Sequence, residues 1–407
     1  MRTKLLAAIS CAALLSASCG APQEKQPGPG AGQQQPATAE PVAKPGQPVR
    51  LTIADVAGNL QLTQKAIEKF RDDHPDLVAG VEFTRSTAPE LPGKIDAQQQ
   101  TGRVEIDLVL TGTDALAAGA SKNLWEKVGD NARPALGAFE DTLLEPAQRM
   151  QKIAEGNGII VVYYPSGPLI EYHPGKVPNP PKTAAGLLEF AKANPGKVMY
   201  ARPANSGPGR TFLMGLPYLL GDSNPKDPKA GWDKTWAYLA ELGEYVEYYP
   251  AGTSAVMKEL SQGTRDIVVS TTGWDINPRA LGQVPKEMRT ASLQGFHWVA
   301  DAQYMVVPRG VSPEKRYVLY ELMKYMLTKE AQAQTYDQGY FYPGPAVKDV
   351  PLSMAPADSQ KAITEFGRPE YEDLIAGNPI ETPLDATAMV AAFERWDREI
   401  GGSKVRK

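Results

Sequence analysis

The stretch in which residue type and spacing point most directly to chemistry is Lys197 to Gly221, KVMYARPANSGPGRTFLMGLPYLLG. Val198, Met199 and Tyr200 read as the end of a short buried strand. Pro203-Ala204-Asn205 breaks it, and Thr211 to Leu220 is an apolar run long enough for a helix. The turn residues Asn205, Ser206, Gly207 and Gly209 leave backbone N–H groups uncovered at the positive end of the helix dipole, where Arg210 and Thr211 add side-chain donors. Such a place holds an anionic or strongly polar group; a helix start that Ser206 caps and that merely turns the chain would use the same residues. A second constellation follows the apolar run Ile267 to Ser270: Thr271-Thr272-Gly273-Trp274-Asp275 offers hydroxyls, a stacking ring and a carboxylate at one strand end. Asp275 with Asp301 could in principle form an acid/base couple, but no motif supports it.

These residues need strands and helices to hold them. Val49, Leu51 and Ile53 alternate as a strand that ends at Asp55, and Leu62, Ala66, Ile67 and Phe70 then recur at helical spacing up to His74-Pro75. Val81 to Thr84 and Ile106 to Leu110 are further strands, the latter ending in Thr111-Gly112-Thr113-Asp114. Strands alternating with helices imply parallel βαβ units, in which ligands sit beyond the carboxyl ends of the strands. Asp55, Asn59, Thr111, Thr113 and Asp114 stand at such ends, where each could equally be a helix cap. Gly158 to Tyr164 reads as a buried strand after which the chain changes lobe, and Trp298 to Pro308 as the strand that returns. Trp232, Trp236, Leu239, Leu242 and Val246 mark an amphipathic helix whose aromatic stripe belongs to a core. Ser312 caps a helix with Pro313 at its first position, and Thr382-Pro383-Leu384-Asp385 starts a last helix through Trp396 that is expected to pack on the first lobe.

With 407 residues, of which 42% are hydrophobic, the chain suggests two lobes. A net charge of −4 gives no basic footprint, so no nucleic-acid partner is expected. No GxxxxGK(S/T), GxGxxG with a following acid, HExxH, CxxC or GxSxG occurs, and His74, His173 and His297 stand beside no recognisable nucleophile. Neither a metal, a cofactor nor catalysis is expected. Both cysteines, Cys11 and Cys19, fall in the first twenty residues. Arg2 and Lys4, the apolar run Leu5 to Leu15 and the small residues before Cys19 form an export signal too short to span a bilayer. Gly20 to Pro48, rich in Gln, Pro, Gly and Ala, reads as a disordered tether.

The signal's end resembles that of a bacterial lipoprotein, in which the cysteine, here Cys19, is acylated and becomes the mature N-terminus; Ser16 departs from the leucine usual three places earlier. Together with the tether, the alternating lobes, SGPGRTFL, GTSAVMKELSQGTRDIVVSTTGW and PEKRYVLYELMKYMLTKEAQAQTYDQGYFYPGP, the whole from Val49 to Ile400 resembles the extracellular solute-binding proteins of ABC importers. More narrowly, it resembles the type II branch of polyamine, thiamine, ferric-iron and sugar-phosphate binders. The resemblance implies a two-lobed α/β Venus flytrap, each lobe a mixed sheet flanked by helices. It divides the chain into a lipoprotein signal (1–19), a tether (20–48), a first lobe (49–165 and 300–407) and a second lobe (166–299). The implied partners are a small-molecule solute, an ABC permease with its ATPase and, through the lipid on Cys19, the outer face of a bacterial membrane; a monomer is expected. The implied binding residues are Asp55, Thr111, Thr113, Asp114, Asn205, Ser206, Gly207, Arg210, Thr211, Trp274, Asp275 and Asp301. Arg210 suits an anionic or zwitterionic solute, the carboxylates a polyamine, and Tyr340 with Tyr342 or Tyr163 with Tyr164 could imitate the tyrosine pair of iron binders. An exported hydrolase on this scaffold, or a sensor module that does not transport, are the alternative readings.

Overall fold

The computed structural model describes residues 42–406. The export signal, Cys19 and most of the expected tether lie outside these residues; the last stretch of the tether, 42–48, carries neither helix nor strand, and the Ala43 amide donates to the Pro313 carbonyl at 3.4 Å.

Two mixed sheets organise the chain. The larger contains β1 (Val49–Asp55), β2 (Val78–Arg85), β3 (Leu108–Thr111), β4 (Ile159–Gly167), β10 (Trp298–Val306) and β11 (Gly344–Pro345) in the order β11-β4-β10-β3-β1-β2, with β12 (Ile380–Glu381) paired to β10. β1 runs parallel to both β2 and β3, because a helix returns the chain after β1 and after β2; β10 enters antiparallel between β3 and β4. The smaller sheet orders β6 (Val198–Met199), β8 (Ile267–Ser270), β5 (Leu169–Tyr172) and β9 (Arg289–Ala291) as β6-β8-β5-β9. Every residue of β3, β4, β8 and β10 is buried, as strands covered on both sheet faces are, and in β10 this includes the polar Asp301 and Gln303. The chain passes between the sheets where β4 leads into β5 and where β9 is followed by β10, and at this crossing Val299 pairs with Gly167.

Each sheet has its own core. Leu51, Ile53, Leu110, Val162, Tyr304 and Leu319 belong to the larger one, while Leu187, Phe212, Trp232, Trp236 and Leu239 belong to the smaller. The Trp232/Trp236 stripe is thus structural. The end of the chain departs from expectation. The helices Pro313–Met326 and Lys329–Gln334 pack on the larger sheet, and the helix Ala386–Trp396 lies against the helix Thr113–Ser121 of the first lobe as expected, but it also places Met389, Ala392 and Trp396 in the smaller lobe's core. The Trp396 indole N–H needs an acceptor once buried, and it finds the Tyr200 hydroxyl at 3.1 Å, with the Tyr249 ring 4.9 Å away. β13 (Val405–Arg406) then pairs with β7 (Tyr249–Pro250), so the segment expected on the first lobe ends on the second.

Candidate functional site

The helix Gly207–Leu220 begins four residues before the apolar run that predicts it. Pro208 is tolerated in the first turn, and the Ser206 hydroxyl accepts from the Gly209 amide at 3.1 Å. Gly209 is required: a Cβ there would sit 2.3 Å from the Ala201 carbonyl oxygen. Ser206 also bonds Thr253 Oγ1 at 2.8 Å, and Asn205 Nδ2 donates to the Ala251 carbonyl at 2.9 Å. These bonds tie the turn to the start of a second helix, Thr253–Ser261, whose N-cap is Gly252 and which has no side-chain cap. Two helix N-termini therefore open on one cavity of about 380 Å³.

Its opposite wall comes from the larger sheet: Val56 to Gly58 after β1, Thr87 after β2, Asp114, Tyr164 and Gln303, with Tyr340 and Phe341. An aromatic row runs along it, Tyr164 stacked on Phe341 at 4.7 Å and Phe341 on Tyr340 at 4.2 Å, with the Trp274 ring of the smaller lobe set edgewise to Tyr340 at 5.5 Å. The helix Thr272–Ala280 presses on this row. Gly273 lies so close that a Cβ would stand 1.7 Å from the Tyr340 carbonyl oxygen, and Thr272 Oγ1 donates to the Tyr342 carbonyl at 3.0 Å.

Arg210 crosses between the lobes. Its Nη1 donates to Asp114 Oδ2 at 2.7 Å and its Nη2 to Asp301, all three side chains being buried. Asp301 also accepts from the Tyr164 hydroxyl at 2.8 Å and from Thr113 Oγ1 at 3.0 Å. Burial works against the charge of Arg210, but the Asp301 and Asp114 carboxylates outweigh it and hold its pKa above the ordinary value. Burial, with Asp301 beside it, raises the Tyr164 hydroxyl well above its usual range and keeps it a donor.

A family model described as bacterial extracellular solute-binding protein matches residues 65–364. The chain belongs to this family. It is 42% identical over 71 residues to Protein YnjB of Escherichia coli (strain K12), a match that spans 17% of this chain and 18% of that protein. Among solved structures, it resembles the periplasmic binding protein AfuA from Actinobacillus pleuropneumoniae, seen with exogenous fructose-6-phosphate (TM-score 0.60, 15% identity, 86% of this chain and 98% of that one). It also resembles a putative spermidine/putrescine ABC transporter from Listeria monocytogenes (TM-score 0.59, 13% identity, 85% and 97%). At these identities the likeness establishes the fold, that of the two-lobed periplasmic binding proteins.

Within this solute-binding chain, Asp114, Asn205, Ser206, Gly207, Arg210 and Trp274 line the cavity, and Asp301 sits behind Arg210. The remaining candidates are engaged elsewhere. Asp55 accepts from the Asn59 amide at 2.9 Å and borders a separate hollow with Gln61, Gln64 and Arg85. Thr111 Oγ1 donates to the Gly112 carbonyl, Thr113 to Asp301, and Thr211 to the Pro208 carbonyl at 3.1 Å. Asp275 is fully buried away from the cavity: Arg279, one helical turn on, bonds it at 3.0 and 2.9 Å, Arg368 at 2.9 and 2.6 Å, and the Tyr371 hydroxyl at 2.7 Å. A carboxylate with five donors has no capacity left for a solute. The sequence offers Tyr164 and Tyr340 only as members of a possible iron-binding tyrosine pair, and it does not mark Gln303, Phe341 or the Thr253 helix start as wall residues; of these the last alone carries a local signal, Gly252-Thr253 before an amphipathic run.

Beside Asp275, Glu171 is fully buried, with the Ser270 hydroxyl as its neighbouring donor. Burial and the Asp275 carboxylate push its pKa up to about 8 from the ordinary 4.5. The folded protein therefore holds one proton more than the unfolded chain between those values. Stability from this group is complete below about pH 4.5 and is lost as pH rises through about 8, at up to about 1.4 kcal/mol per pH unit. Glu171→Gln should be the more stable form at pH 8 and should lack this loss in urea unfolding between pH 5 and 8. Equal pH slopes for the two proteins would show Glu171 to be ionised throughout.

Proposed function

We propose that this chain is the extracytoplasmic solute-binding component of an ABC importer, enclosing a small polar solute in the cavity between its lobes. The observation that carries the reading is the convergence of two helix starts, at Gly207 and Thr253, on that cavity. They offer fixed N–H donors to a carboxylate or phosphate group, while Trp274 and Tyr340 provide a face for a less polar portion. Arg210 contributes chiefly by bracing the floor, since it gives an N–H to each of Asp114 and Asp301. The same pairing favours binding over turnover: both carboxylates at the site are committed to a guanidinium, which leaves neither free to act as a general base. The fold neighbours carry solutes as unlike as a sugar phosphate and a polyamine, so the chemistry of the walls must choose between them.

A thermal-shift screen of organic acids, phosphate esters, polyamines, thiamine and ferric ion tests this. At a hundredfold excess over its dissociation constant, a solute should stabilise the protein by about 2.7 kcal/mol. We expect a small organic anion to raise the melting temperature and to be recovered unchanged by mass spectrometry. A shift from cations alone would overturn the anion reading, and a chemically altered product would favour the hydrolase.

The charged, apolar and small-residue run before Cys19 further supports a lipid anchor at Cys19. Acyl chains contribute about 0.8 kcal/mol per buried methylene, so several chains hold a protein at a membrane. The mature protein should partition into detergent and Cys19→Ala should stay in the aqueous phase. An unmodified N-terminus on membrane-derived protein would exclude the anchor.

A further inference from the structure

Gln303 stands on β10 two residues after Asp301, so both side chains leave the strand on the same face. It lines the solute cavity, yet the residue is only 1% exposed and its amide oxygen has no hydrogen-bond donor. The Tyr164 hydroxyl gives its proton to Asp301 at 2.8 Å, which leaves its oxygen as an acceptor toward the neighbouring Gln303 amide. Turning the amide over would set two acceptor oxygens against each other, so the Tyr164–Asp301 pair fixes which end of Gln303 remains unspent. A buried carbonyl oxygen without a donor is rare in a folded protein, and at a cavity wall a bound molecule can supply what is missing.

The two walls are thus chemically opposite. The smaller lobe presents N–H donors at the starts of two helices, whereas the larger lobe contributes Gln303, whose amide oxygen is an unspent acceptor. A simple anion satisfies only the first wall. We propose that Gln303 is a specificity-determining residue that requires the solute to carry a hydroxyl or amine donor in addition to its anionic group. This rests on the reading of the cavity as the seat of an anionic solute, and it narrows the class to hydroxy- or amino-substituted carboxylates and phosphate esters.

Matched pairs differing in one donor test it on the full chain: glycerol 3-phosphate against propyl phosphate, phosphoethanolamine against ethyl phosphate, and 3-aminopropanoate against propanoate, each followed by thermal shift and calorimetry. In at least one pair the donor-bearing member should bind the native protein about tenfold or more tightly than its partner. Gln303→Leu should bring the two members of that pair to within about threefold while leaving the ligand-free melting temperature unchanged or higher, because an unsatisfied buried acceptor has been removed. Gln303→Met, of similar length and without polar atoms, serves the same comparison if the leucine variant does not fold. Equal binding within every pair by the native protein, or a preference that survives both substitutions, would overturn the role of Gln303 and leave solute binding standing. No shift from any compound of the set would overturn the anionic-solute reading itself, and this inference with it.

Discussion

Arg210→Ala should lower the stability of the ligand-free protein by about 3 to 5 kcal/mol, the usual cost of removing one partner from a buried ion pair. Arg210, Asp114 and Asp301 are 3%, 7% and 1% exposed, so the carboxylates left behind would be poorly solvated, Asp301 above all, since Asp114 borders the cavity. Asp114→Ala introduced together with Arg210→Ala should cost less than the sum of the two single changes, since the second removes a charge that the first has stranded. Urea midpoints at constant m-value measure all of this. A variant that unfolds like the native protein but binds its solute more weakly would show that Arg210 serves the solute directly, as the sequence alone suggests.

Gly273→Ala should weaken solute binding while sparing the fold. The substituted Cβ would fall 1.7 Å from the Tyr340 carbonyl oxygen, a backbone atom of the opposite lobe that cannot swing aside as a side chain could. Relief comes from parting the helix Thr272–Ala280 from the Tyr340–Tyr342 segment, which opens the cavity and separates Trp274 from Tyr340. Overpacking of this kind costs about 1 to 3 kcal/mol. If that cost falls on the closed form alone, affinity drops by roughly 5- to 150-fold. Calorimetric titration of the variant, with circular dichroism to verify its fold, gives the answer. Native affinity in Gly273→Ala would mean that the two segments move together and that closure does not depend on this contact.

Local pattern carried much of the architecture. The alternation in Val49 to Asp55, the all-apolar Ile159 to Tyr164 and the Ser206 cap ahead of Pro208 are each decided by residues within a few positions of one another, and all are found as strands and a helix start. The cavity wall formed by the Gly207 helix start was legible in the same way, whereas the part played by the Thr253 helix start was not. What the sequence does not display is which charges meet. Arg210 lies 96 positions from Asp114 and 91 from Asp301, and Asp275 lies 93 from Arg368. Nothing in the local spacing tells a carboxylate that faces a cavity from one that a distant guanidinium will cover. The same holds for Trp396, whose polar partner, the Tyr200 hydroxyl, lies 196 positions away and leaves no trace in the amphipathic pattern of its own helix.

Hydrogen exchange read by mass spectrometry, with and without the solute giving the largest thermal shift, tests most directly that a solute is held between the lobes by the two helix starts. The Gly207 amide and those of Thr253 to Ala255 belong to one wall of the cavity, and Tyr340 and Phe341 to the other. Solute should slow exchange in peptides covering 205–210, 251–256 and 338–342 together, while the hollow around Gln61 and Arg85 is unaffected. Protection confined to one wall, or centred on the Asp55–Arg85 hollow, would contradict the account.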